Sequence, residues 1–184
     1  IKMKYYLVAI FDEESYCYME EMQKKLCKKY KIYKNSPMLH ITLEVIEDPE
    51  IEELSKLIAD ILKPYKKFKV MIDGAICFDP PYKSVNLKVD NKGYIIRLTR
   101  LINEKLSMHG FKVRENIDNW DLHVSLANTN YAIREWSNKE YLSACETAKD
   151  ENIKRMATIE RIELWKPINN RKEMTVKSFP LRDF

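Results

Sequence analysis

Glycine is scarce in this chain, with three residues in 184. Walker and dinucleotide-binding loops need closely spaced glycines so that backbone can approach phosphate, so both site types are excluded. No apolar run reaches the length of a membrane span, and the first residues do not follow a signal-peptide pattern. No membrane partner is therefore expected, and Met3 reads as the native start. An excess of one charge is also missing. Lys and Arg number 32 against 28 Asp and Glu, a net +4, which tolerates an anionic partner without supplying a basic nucleic-acid stripe. The four cysteines (Cys17, Cys27, Cys77, Cys145) show no CxxC spacing and no histidine beside them. They read as reduced thiols in a cytoplasmic protein, neither a disulfide framework nor a zinc site.

What remains is globular: 45% hydrophobic and 33% charged residues. The spacing predicts strands at Lys4–Phe11, His40–Ile46, Phe68–Ile72, Val85–Val89, His123–Ala127, Thr158–Trp165 and Glu173–Phe179. Between them, apolar residues at helical spacing predict helices over Glu14–Tyr30, after Pro49, and over Ile95–Leu106 with Gly110 as the stop. A fourth helix opens at the Ser137/Glu140 capping box. Pro80-Pro81 marks a turn, and no linker-like segment interrupts the chain.

Strand, helix, strand occurs twice with the same ending. The first copy closes on His40-Ile41-Thr42-Leu43 and the second on His123-Val124-Ser125-Leu126. Two such units predict an α+β fold of class internally duplicated and two-lobed, with antiparallel-rich sheets, helices on the outer faces and a central cleft on a pseudo-twofold axis. We take residues 1–184 as one domain, and a monomer as the default state. Side chains alternate along a strand, so His40 and Thr42 share one face, as do His123 and Ser125. If the axis brings the copies together, two imidazoles and two hydroxyls meet in one cleft. One imidazole can then take a proton from an attacking oxygen while the other protonates the leaving oxygen of a phosphodiester. Thr42 and Ser125 would hold the non-bridging oxygens.

Only three histidines exist, and two fall in this pattern; His109, at a helix end, reads as structural. A metal site is the competing reading, but neither tetrad supplies a third ligand and Glu44 belongs to one copy only. Phe78, Tyr82, Trp120 and Tyr131 lie near the motifs and are candidates for base stacking, against the plainer reading of packing.

The paired tetrads resemble those of the 2H phosphoesterase superfamily, and the element order resembles its 2′-5′ RNA ligase or cyclic phosphodiesterase branch. The resemblance implies a site at His40, Thr42, His123 and Ser125, and the two-imidazole chemistry needs no metal or cofactor. It implies action on a nucleotide or RNA end carrying a 2′,3′-cyclic phosphate, or on 2′-5′ linkages. By the same analogy His123 is the base and His40 the acid. Where that branch often continues Leu-Ala-Arg, this chain has Leu126-Ala127-Asn128, so a phosphate-binding arginine is missing there or supplied from elsewhere. Two other readings stay open: a non-catalytic RNA-end or nucleotide binding module, and a cyclic phosphoesterase for a small non-RNA metabolite.

Overall fold

An apolar run without a turn former makes strand β1 (Lys4–Phe11) in the computed structural model, which describes residues 2–184 and leaves Ile1 outside them. β1 is paired on both edges, antiparallel to β2 (Ile41–Glu47) and to the long β6 (Lys154–Trp165). The second half of the sheet is β3 (Phe68–Phe78), β4 (Ser84–Val89) and β5 (His123–Ala127), in the order β3-β4-β5. The halves meet twice. β2 and β5 share the single position Ile41 against Val124, and β6 borders β3 through Lys154–Ile159 and β1 through Ile159–Trp165. β7 (Thr175–Pro180) completes the sheet on the free edge of β6. All strand ladders are antiparallel, and the fold is α+β.

Among the described residues four α-helices cover one face. α1 (Glu13–Tyr30) starts where the Asp12 carboxylate accepts from the Ser15 N–H at 2.9 Å, satisfying a donor that helix geometry leaves unpaired. α2 (Ile51–Leu62) and α3 (Tyr94–Met108) bury Leu54, Ile58, Leu98, Ile102 and Leu106 against Leu7, Ile41, Leu43, Leu87 and Val124. α4 (Asn138–Glu151) opens with the expected capping box between Ser137 and Glu140, and packs Tyr141 and Ala144 beside Val85 and Trp136. Gly110, at φ +82°, turns the chain after α3 in the left-handed region that a Cβ disfavours. With these four α-helices on one face, the opposite face of the sheet stays open around the β2–β5 junction. Among the described residues no helix is long and apolar enough to cross a membrane.

Three expectations need correcting. Cys77 and Cys145 form a disulfide, so only Cys17 and Cys27 are thiols. The residues lie 68 apart in the chain and become neighbours only when α4 packs on β3, which spacing does not reveal. Such a bridge is uncommon in a reducing cytosol. Strand β3 runs six residues past Ile72, because an irregularity in its register to β4 between Ile72 and Ala75, with Gly74 at φ +74°, breaks the alternation used to find it. β6 begins at Lys154 rather than Thr158 because its exposed first residues pair with β3.

Closing so long a loop should be worth about 2–4 kcal/mol. Urea unfolding with and without reductant checks this: the midpoint should fall on reduction, and the Cys77→Ser/Cys145→Ser variant should be insensitive to reductant. Equal midpoints for the wild type in both conditions would show that the bridge adds nothing.

Candidate active site

His40 sits immediately before β2 and Thr42 within it, and β5 begins at His123 with Ser125 two residues on. Ile41 and Val124, paired across the junction, turn into the core. Alternation then sends all four polar side chains to the open face. There they line one cleft of about 230 Å³, together with Tyr6, Trp165 and Lys166. The antiparallel register, counted one position on from Ile41 and Val124, sets Thr42 opposite His123.

Each imidazole is held in the same way. His40 Nδ1 lies 2.7 Å from the Met38 carbonyl oxygen, and His123 Nδ1 lies 2.7 Å from that of Asp121. A carbonyl only accepts, so Nδ1 carries the proton in both rings and Nε2 is left with a lone pair. Each ring also meets an aromatic edge: Trp165 at 4.5 Å from His40, and Phe78 at 5.0 Å from His123, both T-shaped. Those aromatics come from β6 and β3, the strands that correspond in the two halves.

Trp165 is itself anchored. Its Nε1–H donates to Glu163 at 2.8 Å, and the same carboxylate accepts from Arg161 at 2.6 Å and from Thr175 at 3.0 Å. Burial pushes the Glu163 carboxyl up, but the bonds from Trp165, Arg161 and Thr175 outweigh it and hold the group below the usual carboxylate range. Ser125 Oγ accepts from Asn128 Nδ2 at 2.7 Å, which leaves the Ser125 proton free to donate into the cleft. Asn128 is fixed by Tyr33, whose hydroxyl lies 2.8 Å from both its N–H and its carbonyl.

Burial dominates the electrostatics. It drives the His40 imidazole down to about 4, opposed by the Met38 carbonyl and reinforced by His123. His123 is lowered for the same reason, with the Arg114 charge adding to the effect. Both rings are thus neutral near pH 7, because low polarity penalises the charged form. Each can accept a proton there, and an anion bound between them favours the imidazolium. Among the described residues no three His, Cys, Asp or Glu side chains gather as a cation site.

The four tetrad residues come together as the repeat implied. Of the aromatic candidates, Tyr131 lines the cleft in the left-handed region at φ 60°, while Phe78 backs His123. Trp120 stacks under Arg114, and Tyr82 is exposed away from the cleft lining. His109 caps α3, with Nδ1 2.8 Å from the Lys105 carbonyl oxygen, and takes no part in the cleft. Sequence reasoning missed Trp165, Tyr6 and Lys166. Trp165 could have been sought as the end of the strand matching the one that carries Phe78.

The family model described as 2′-5′ RNA ligase superfamily matches residues 11–171. No curated protein sequence matches the chain. Among solved structures, TT0787 of Thermus thermophilus is 16% identical with a TM-score of 0.67, covering 98% of this chain and 99% of that one. E. coli LigT in apo form is 12% identical with a TM-score of 0.62, covering 100% and 99%. E. coli LigT complexed with 3′-AMP is 11% identical with a TM-score of 0.58, covering 98% and 99%. At such identities these likenesses bear on the fold.

Nitrogen-detected NMR of labelled imidazole checks the site directly. Both His40 and His123 should be Nδ1–H tautomers at pH 7, with His40 protonating near 4 and His123 below 6.5. Trp165→Ala should raise the His40 value toward the ordinary one by admitting water.

Proposed function

The chain belongs to the 2′-5′ RNA ligase superfamily, and from that premise we propose that it is a metal-independent phosphodiesterase. It hydrolyses a 2′,3′-cyclic phosphate, or a 2′-5′ phosphodiester, of RNA or a nucleotide. The observation that carries this reading is the pair of Nδ1-anchored imidazoles, each beside a hydroxyl, in one cleft.

His123, with a lone pair on Nε2, takes the proton of the attacking water or ribose hydroxyl. His40, protonated, gives its Nε2 proton to the leaving ribose oxygen, and the two imidazoles exchange protonation states over the cycle. Thr42 and Ser125 donate hydrogen bonds to the non-bridging phosphate oxygens, which gain charge as the fifth bond forms. Asn128, bonded to Ser125 Oγ, orients that donor. The roles of acid and base are those the family resemblance implies. Because burial holds His40 near 4, the acid acquires its proton together with the anionic substrate, whose charge offsets the burial.

The cleft volume lies just below the range usual for small-ligand sites, and the net charge is a modest +4. Both favour a free nucleotide, a small cyclic phosphate metabolite or an RNA end over the interior of a long RNA.

The test is turnover of 2′,3′-cyclic nucleotides, of an RNA ending in a cyclic phosphate, and of an ADP-ribose cyclic phosphate, all in EDTA. Activity should survive chelation and fall by about 10²-fold or more in His40→Ala and in His123→Ala. No wild-type turnover would point instead to a binding module, and full activity in either variant would remove the two-histidine mechanism. The pH dependence has a definite sign. An acid whose value is depressed in the free protein loses its proton early, so kcat/KM should fall as pH rises through a limb below 6.5. The matching limb of kcat should lie higher, because bound phosphate raises the same group. A kcat/KM limb above the neutral range would contradict the buried acid.

A further inference from the structure

Folding gathers cations beside the cleft that the overall charge balance conceals. From Met22 to Leu43 the chain carries six lysines and no carboxylate, and this run leads directly into His40 and Thr42. Across from it stands the loop between β6 and β7, which carries Arg171 and Lys172. Between these banks lies a second cavity, a groove of about 590 Å³ with Lys24 and Lys34 on one side and Arg171 and Lys172 on the other. Asn169 lines both the groove and the cleft, so the two are neighbours. Among the described residues Lys166, on the same loop, is the one fixed charge in the cleft lining.

Both banks are held in place. Gln23 is buried at the groove and donates to the Pro37 carbonyl at 3.0 Å, tying α1 to the segment that precedes His40. Asn169 Nδ2 donates to the Asn35 carbonyl at 3.2 Å, and Arg171 Nη2 to the Ser36 carbonyl at 3.4 Å, which joins the loop to the first bank. The loop closes on Asn170, whose side-chain oxygen accepts from the Lys172 N–H at 3.0 Å and whose carbonyl accepts from the Met174 N–H at 2.8 Å. Lys24 is paired with Glu20 at 3.3 Å, but among the described residues no carboxylate pairs with Lys34, Arg171 or Lys172. Like charges held on facing banks repel one another, and an anion lying between them removes that cost. No aromatic side chain lines the groove among the described residues, so nothing there stacks on a base. Its chemistry suits phosphates repeated along a backbone, which position a strand without reading its sequence.

We propose that the groove holds the backbone phosphates of an RNA strand whose cyclic-phosphate end lies between His40 and His123. The strand leaves the cleft past Lys166 and Asn169 and follows Lys34, Arg171 and Lys172. The preferred substrate is then the end of an RNA, over a free nucleotide or a small metabolite with a single cyclic phosphate. This rests on the reading above that a phosphate occupies the paired imidazoles, and adds the surface that selects a strand.

Calorimetric binding separates the two ideas, because it needs no turnover. An RNA of about six nucleotides ending in a 3′-phosphate should bind wild type about tenfold tighter than adenosine 3′-monophosphate in dilute salt. Three cations at roughly 0.7 per neutralised phosphate should make log affinity for the RNA fall by about 2 more per tenfold rise in salt than that for the mononucleotide. In Lys34→Gln/Arg171→Gln/Lys172→Gln, whose altered side chains are exposed, both differences should vanish. The control Lys63→Gln/Lys66→Gln/Lys69→Gln removes the same charge from exposed positions outside the groove and should keep both, with circular dichroism as the check on folding. Equal affinities in wild type, no binding of either ligand, or a preference that survives the groove variant would each overturn the proposal. So would an equal loss in the control, or a polyglutamate peptide bound as tightly as the RNA. Groove-dependent RNA binding without turnover would instead count against the catalytic reading alone.

Discussion

Ile41 and Val124 meet across strands that lie far apart in the chain, and the cleft is organised around that one antiparallel position. Because both residues turn into the core, alternation obliges their neighbours His40, Thr42, His123 and Ser125 to face outward together. A shift of one residue on either strand would reverse every side chain and separate the imidazoles. Core packing therefore sets the geometry of the polar groups. Leu43 and Leu126, both fully enclosed, fix the register that the histidines need.

The two histidines are treated alike by their surroundings, each with a carbonyl on Nδ1 and an aromatic edge against the ring. Their supports differ in kind. Trp165 is tied to the buried carboxylate of Glu163, whereas Phe78 follows directly on the bridged Cys77. Asn128 and Tyr33 serve Ser125, and among the described residues no equivalent pair bonds to Thr42. Near-symmetric chemistry thus rests on asymmetric scaffolding.

Much of this was legible in the chain. The tetrads, the strand–helix repeat and the capping box at Ser137 are local patterns, and alternation alone put each histidine beside its hydroxyl. What stayed hidden depends on contacts between distant segments. Arg171 is one of 32 cationic residues until the loop after β6 brings it within reach of Ser36. Cys77 and Cys145 carry no spacing signal, and the irregularity at Gly74 erases the alternation that would have revealed the rest of β3. Trp165 looked like the end of an ordinary strand, and only the folding of β6 alongside β1 turns its ring toward His40.

That same β6 belongs to both halves, bordering β3 with one part of its length and β1 with the next. The cleft walls consequently cannot part like jaws on a free hinge, since opening them would strip ladder hydrogen bonds from one side of a shared strand. The Lys166–Asn169 segment, which lines the cleft just past the end of β6, lies outside that constraint. The shared strand thus fixes the spacing of the two imidazoles, while part of the wall above them is not held by the ladders.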